Sequence, residues 1–481
     1  MSLLWRCLKY LVFFGIGLDQ ARAGTAARPN VIMVLVDDLG WGDFSCFGNT
    51  SVKTPHIDRL AAEGLRFEQF YVASPICSPS RVGLSTGQYP QRWRITSFLN
   101  NRAENNARGM AQWLDPRAPM LARLLHDAGY ATGHFGKWHM GGQRDVGEAP
   151  LITEYGFDES LTNFEGLGPR VLALLDAHDG KPTRLHALGS DKLGRGEIRQ
   201  QDRAEVTATY TAAALAFIKK AAAARRPFYV NLWPDDVHSP FFPRAALRGD
   251  AAKKTLYHAV LATMDAQLGV LFDAIRADHA LRENTLILVC SDNGPEVGAG
   301  SAGPFRGSKG MLYEGGIRSP LIVWGPHFTN AKKTGAVNRT SHFSTIDVAP
   351  TILDIVGVRA PAGTPFDGGS MRETLLGRSE VSRGQPLFFR RPPDRAAFAG
   401  VAKLPDLAVR DGRWKLLCTY DGAAAELYDL TADPSEKNNL AAAQPAETTR
   451  LMAAAVAWHR SLPADHGATY LPSGNTKGSS P

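Results

Sequence analysis

Cysteine is scarce, with five in 481 residues. That count excludes a small scaffold in which disulfides stand in for a core. Long apolar runs are missing as well. None reaches the roughly 18 residues of a membrane-spanning helix, which excludes a polytopic membrane protein. No basic block or basic stripe interleaved with aromatics occurs, so nucleic acid is excluded as a natural partner. No His or Cys pair stands at zinc-site spacing, which turns attention to other metals. The charge excess is small: 54 Lys and Arg face 47 Asp and Glu, a formal +7. What is present is an ordinary globular balance, 44% hydrophobic and 21% charged, and it excludes wholesale disorder. The length calls for two or three domains, or one large α/β domain with an appendage.

The first 23 residues read as a secretory signal peptide. Arg6 and Lys9 precede a short apolar block at 10–18 (YLVFFGIGL), and Ala21-Arg22-Ala23 forms a small-residue cleavage site. The competing reading is an uncleaved anchor, for which the block is short. Cleavage near Gly24 leaves a mature charge of about +5, which suits an anionic substrate without demanding one. It implies a secreted or periplasmic protein, lysosomal in a eukaryote, with no stable membrane association. Cys46, Cys77, Cys290 and Cys418 remain. If Cys77 is used for chemistry, at most one disulfide is possible among the other three.

The chain alternates strand and helix patterns. Residues 30–36 (NVIMVLV) and 285–291 (TLILVCS) are nearly unbroken apolar runs, as buried parallel strands require, and 228–233 and 320–324 are shorter versions. Helical patterns cover 56–67, 120–129, 206–224, 256–279 and 344–356. The expected fold is α/β: a large, mostly parallel sheet sandwiched by helices. After about 380 the texture changes. Residues 409–417 read as a hairpin turning at Asp411-Gly412, 426–430 as a strand, and 445–461 as a helix with Pro445 in its first position. We therefore expect a leader at 1–23, a main domain at 24–380, a smaller antiparallel α+β subdomain at 381–465 and a flexible tail at 466–481.

Ligands of open parallel sheets bind beyond the carboxyl ends of the strands. Strand 30–36 runs into Asp37-Asp38, strand 285–291 into Asp292-Asn293, and segment 228–233 toward Asp235, Asp236 and His238. Segment 131–135 leads to Gly136-Lys137-Trp138-His139. Adjacent buried carboxylates repel, and a cation relieves them. Asp37, Asp38, Asp292 and Asn293 form an all-oxygen set that suits Ca²⁺ or Mg²⁺ rather than zinc. Taken alone, Asp37-Asp38 reads equally well as a capped strand-end loop; the matching pair at a second strand end favours metal. Cys77 is flanked by polar and turn residues rather than core residues, and Arg81 follows one helical turn later.

Cys77-Ser78-Pro79-Ser80-Arg81 followed by Thr86-Gly87 resembles the signature of the formylglycine-dependent (type I) sulfatases, in the alkaline phosphatase superfamily. Ser85, where Leu is common, is the one departure. Further blocks agree in family order: residues 36–43, 54–61, 136–139, 291–294, 307–310, 314–318 and 427–434. The resemblance implies an alkaline phosphatase-like fold and a sulfuric ester hydrolase. It implies that a separate maturation enzyme oxidises Cys77 to formylglycine, whose hydrate attacks with one hydroxyl and expels sulfate through the other. It further implies a dication on Asp37, Asp38, Asp292 and Asn293, with the residue at Cys77 beside it. Arg81 would hold the hydrate, and Lys137 and Lys309 would stabilise the sulfate charge. His139 would be the base, and His238 would contact sulfate and the leaving group. The texture is closest to the N-acetylgalactosamine-6-sulfatase-like group, which points to a sulfated carbohydrate or aryl sulfate. Polar segments 95–115 and 163–200, with Trp93 and Trp113, are candidate substrate contacts or equally ordinary loop and core residues. Two other functions fit the residues: a phosphodiesterase or phosphonate hydrolase on the same fold, and a non-catalytic binder of sulfated glycan.

Overall fold

The computed structural model describes residues 28–397 and 401–464. The leader expected at 1–23 and the tail expected at 466–481 lie outside them. The main body is built on a nine-stranded sheet. Across it run Val337–Asn338, Leu65–Tyr71, Arg318–Trp324, Thr285–Ser291, Asn30–Val36, Phe228–Trp233, Ala131–Gly136 and Glu159–Leu161, and Phe343–Ser344 also pairs with Leu65–Tyr71. From Thr285–Ser291 through Glu159–Leu161 every pairing is parallel. Arg318–Trp324 runs antiparallel to both its neighbours.

Strand Asn30–Val36 shows why the sheet must be covered twice. Side chains alternate across a strand. Ile32, Val34 and Val36 enter one core, with helices Pro55–Glu63, Val206–Ala223 and Lys253–Ala277. Val31, Met33 and Leu35 enter the other, with helices Cys77–Thr86, Leu121–Asp127 and Val348–Ile355. A strand apolar on both faces is stable only between two such layers.

The sequence expectations need local correction. The helix expected at 56–67 stops at Glu63, and Leu65–Tyr71 is a strand. Gly64 makes the break: its α-carbon lies so close to strand Arg318–Trp324 that an added Cβ would sit 2.3 Å from the Val323 carbonyl oxygen. Beyond it Leu65 and Phe67 are buried while Arg66 and Glu68 are half-buried, the period of a strand. The pattern at 344–356 opens as a 3₁₀ turn, Thr345–Asp347, before Val348–Ile355. In the C-terminal hairpin Asp411 pairs with Trp414, so the two turn residues are Gly412 and Arg413, one position later than expected. Gly412 adopts φ +56°, the left-handed conformation such turns favour.

That hairpin belongs to a four-stranded antiparallel sheet, Leu387–Arg390, Leu407–Asp411, Trp414–Cys418 and Glu426–Asp429. One face packs under helix Pro445–Arg460 through Leu407, Val409, Leu416 and Leu451. The other face meets the main body through Phe389, Ala408, Leu417 and Tyr428 against Met311, Leu312 and Ile346. Lys415 crosses this boundary fully buried, 3.0 Å from Glu314 and 2.8 Å from Glu436. Burial pushes Glu436 up to about 7 against the pull of Lys415. Removing the cation leaves buried Glu436 without its cation and Glu314 with Arg318 alone, at 3.2 Å. Lys415→Met should therefore cost about 3 kcal/mol or more of stability. Urea unfolding checks this, and an unchanged midpoint would contradict it.

Candidate active site

The parallel strands deliver their carboxyl ends to one edge of the sheet. Asp37 and Asp38 follow strand Asn30–Val36 directly, and Asp292 and Asn293 follow Thr285–Ser291. Backbone bonds lock these ends together: Asp292 N donates to Val36 O, Asp37 N donates to Asp236 O, and Val237 N donates to Asp37 O. Asp38 takes a left-handed φ of 56°, which a non-glycine residue adopts only where its surroundings impose it. Helix Cys77–Thr86 begins at this edge, with Cys77 in its first turn and Gly87 closing it at φ +67°.

Arg81, one turn into that helix, faces the carboxylates. Its Nε and Nη2 donate to Asp292 Oδ2 at 3.0 and 2.8 Å, its Nη1 donates to Lys137 O at 2.8 Å, and Nη2 lies 3.2 Å from Asp37 Oδ1. Lys137 Nζ donates to Asp37 Oδ2 at 2.7 Å, and Lys309 Nζ donates to Asp38 Oδ2 at 2.6 Å. Each of the three acids thus meets at least one cation. The balance sets their protonation. Burial raises Asp37, but Lys137 and Arg81 overcome it and hold the carboxyl well below its usual range. Burial likewise raises Asp38, and Lys309 reverses the effect. Asp292 is pushed up to about 7 by burial and by its neighbour Asp37, more than Arg81 can offset. Three cations match the three acids in number, yet Asp292 remains the least stabilised of the carboxylates.

A hard dication fits a cluster of three carboxylates and an amide oxygen. Among the described residues two groups could ligate an ion, Asp37 with Cys77 and Asp292, and Asp38 with Cys77 and His238, each set of donor atoms lying within 4.8 Å. The position of Cys77 is common to both. Asn293 is fully buried; its Nδ2 donates to Asp38 Oδ1 at 2.8 Å, while its Oδ1 has no hydrogen-bond partner. An orphaned buried carbonyl oxygen beside three carboxylates is what an oxygen-seeking cation would satisfy.

Two histidines flank the acids. His139 also has a left-handed φ, 55°. Its Nε2 lies 2.7 Å from Glu165 Oε2 and 2.8 Å from Leu99 O, so that nitrogen carries the hydrogen. Its Nδ1 is buried without a partner. Burial lowers the His139 pKa more than Glu165 raises it, which keeps the ring neutral. His238 Nδ1 lies 2.6 Å from Ser239 O, and its Nε2 faces Lys309 Nζ at 3.3 Å. Burial and Lys309 lower this histidine too.

The residues given a catalytic or metal-ligating role in the sequence all come to this corner: Asp37, Asp38, Cys77, Arg81, Lys137, His139, His238, Asp292, Asn293 and Lys309. Others were missed. Glu165 orients His139, and Arg203 holds Asp235 and Asp236 at 3.2 and 2.8 Å. Segment 163–200 does line the cavity, through Asn163, Phe164, Glu165 and His186. Segment 95–115 contributes Phe98, but its polar residues are mostly engaged with one another. Asn101 caps helix Arg102–Ala107, and Asn105 bonds Asn100 O and Gln112 Oε1. Trp93 donates to Gln88, and Trp113 packs beside Val146, Ala149 and Leu167. Neither tryptophan lines the cavity.

Comparison with known proteins agrees with this geometry. A family model described as Sulfatase matches residues 29–358. The chain belongs to the sulfatase family. A second model, described as N-sulphoglucosamine sulphohydrolase, C-terminal, matches residues 304–457 of this sulfatase. The N-acetylgalactosamine-6-sulfatase of Canis lupus familiaris is 33% identical over 404 residues, covering 80% of this chain and 72% of the relative. The N-acetylgalactosamine-6-O-sulfatase of Bacteroides thetaiotaomicron is 29% identical over 494 residues, covering 87% and 90%. The crystal structure of Ps i-CgsB with k-i-k-neocarrahexaose shares the fold, with a TM-score of 0.71 at 24% identity over 88% of this chain and 91% of that one. The protein is a sulfatase enzyme that acts on sulfate esters.

Cys46, Cys77, Cys290 and Cys418 are all free thiols in the structure. Burial pushes the Cys77 thiol well above its ordinary value, although Lys137 and Lys309 pull it down. At pH 8 it is therefore protonated and a poor nucleophile. Where residue 77 is still cysteine, iodoacetamide at pH 8 should alkylate it about 100-fold more slowly in the native protein than in urea. Equal rates, read from the mass of the peptide spanning position 77, would contradict this.

Proposed function

We propose that this sulfatase releases inorganic sulfate from a sulfated carbohydrate, using residue 77 after its conversion to formylglycine by a separate maturation enzyme. The observation that carries this reading is the position of Cys77. It lies at the vertex shared by both ligand groups, in the first turn of a helix, between Lys137 and Lys309. A protonated, buried thiol is an unsuitable nucleophile at that point. Formylglycine supplies a hydrated aldehyde, in which one hydroxyl attacks sulfur and the other drives release of sulfate.

Asp37, Asp38, Asp292 and Asn293 would hold the dication, Ca²⁺ before Mg²⁺. When bound, it supplies positive charge to the sulfuryl oxygens and lowers the pKa of an adjacent hydroxyl. The protein's own groups do the rest. Arg81 keeps Asp37 and Asp292 in register through Nε and Nη2 and fixes the Lys137 backbone through Nη1. With Asp37 and Asp38 shared with a cation, Lys137 and Lys309 turn part of their charge toward the sulfate oxygens. His139 takes a proton at Nδ1, its orphaned and uncharged nitrogen, while Glu165 and Leu99 O fix Nε2–H. His238, held at Nδ1 by Ser239 O, presents Nε2 beside Lys309 to the sulfate and the departing oxygen. The sugar assignment rests on the N-acetylgalactosamine sulfatases among the relatives. A signal peptide at 1–23, as the sequence reads, would direct the protein out of the cytosol or, in a eukaryote, to the lysosome.

Ion chromatography of sulfate released from a panel of defined sulfated saccharides tests the proposal. Matured wild type should release sulfate and should act far more slowly on a phosphodiester. Cys77→Ala should abolish turnover. Full activity of Cys77→Ala, or of wild type whose residue 77 proves by mass spectrometry to be an intact cysteine, would overturn the reading.

Glu165 makes a second test. Its carboxylate, held at about 2 by His139 despite burial, raises the basicity of that ring. Glu165→Gln removes the charge, so the His139 pKa falls. The acid limb of the kcat profile should move to lower pH, and kcat should fall about tenfold. An unshifted limb would exclude His139 as the base.

A further inference from the structure

The cavity beside the carboxylates is rich in arginine, and its arginines are not equivalent. Arg203 is neutralised by Asp235 and Asp236. Arg395 pairs with Asp394 at 3.1 Å and lies over the Phe98 ring. Arg81 is spent on Asp37 and Asp292. Arg144 also lines the cavity, yet it makes no ion pair or side-chain hydrogen bond with the described residues. Its Nε is buried without a partner. Glu165, a carboxylate that feels its charge, already lies 2.7 Å from His139 Nε2.

The loop that carries Arg144 is built to hold it in place. It is the continuation of the segment bearing Lys137 and His139. Gln143 donates through Nε2 to Asn100 O at 3.0 Å and to Gln112 O at 3.3 Å. Val146 N donates back to Gln143 O at 2.9 Å. Gly142 has φ +79° and packs so close to Leu167 that a Cβ would lie 2.5 Å from its Cγ. Arg144 itself takes φ 54°. A fixed backbone presenting to a cavity a guanidinium that makes no ion pair is a preorganised anion receptor. The planar fork of arginine matches a carboxylate or a sulfate with two parallel hydrogen bonds.

We infer that Arg144 binds a second anionic group of the substrate, a carboxylate or a further sulfate, beside the sulfate that is cleaved. This rests on the carbohydrate sulfatase reading above and narrows its substrate class to sugars carrying two anionic groups. Phe98, with Arg395 over its ring, and Phe164, edge-on to His186 at 5.0 Å, add apolar wall to the same cavity.

The test compares three substrates: N-acetylgalactosamine 6-sulfate, its 4,6-disulfate, and a disaccharide joining a hexuronic acid to the 6-sulfated sugar. For Arg144→Gln, kcat/KM on the disulfate or on the uronate disaccharide should fall about tenfold more than on the monosulfate, the loss residing in KM. Which of the two shows the excess loss identifies the second anion as sulfate or carboxylate. Arg144→Lys keeps the charge without the fork and should recover part of that loss. A loss equal on all three substrates would overturn the assignment and make Arg144 a structural support of Glu165. If matured wild type cleaves none of them, the carbohydrate reading fails first and the inference falls with it.

Discussion

Three carboxylates, Asp37, Asp38 and Asp292, are fully buried at the ends of two adjacent strands. In a low-dielectric corner such charges are costly unless cations meet them at contact distance. The rest of the site follows from that constraint. Arg81, Lys137 and Lys309 are drawn in to meet the acids, and they arrive from three separate segments. A cation that takes over part of this charge releases the same side chains for an anionic substrate. The arrangement that keeps the acids folded is therefore also the one that can grip sulfate.

The fold makes this corner rigid. Strand Asn30–Val36 is hydrogen-bonded on both edges and packed on both faces, so the residues just beyond it have little freedom. Asp38 and His139 hold left-handed backbone conformations that only such surroundings maintain. The smaller antiparallel sheet contributes at a distance. Its Lys415 reaches Glu314 in the segment that follows the Lys309 loop, so its docking supports that loop as well as the stability of the chain.

Much of this was legible in the sequence because of how burial works. Strands 30–36, 228–233 and 285–291 have the bounds expected of them, since a strand covered on both faces must be apolar at every position. The acids directly after them were legible because ligands gather at those ends. The strand at 65–71 was hidden. Its alternation is short and merges with a helical pattern, and only the close approach of Gly64 to Val323 separates them. Asn101 and Asn105 looked available for a sugar, yet a short helix consumes them as its own caps and braces. Glu165, Arg203 and Arg144 carried no local signal. Their meaning lies in partners far along the chain, or in the lack of one, and no short motif records that.

The central claim is that the buried acids form a seat for one hard dication on which sulfate ester cleavage depends. Elemental analysis of the purified protein, followed through chelation and calcium readdition with turnover measured at each stage, tests it most directly. The expected result is one calcium per chain, loss of activity in step with its removal and recovery on its return. Unchanged turnover in protein shown to be free of metal would contradict it.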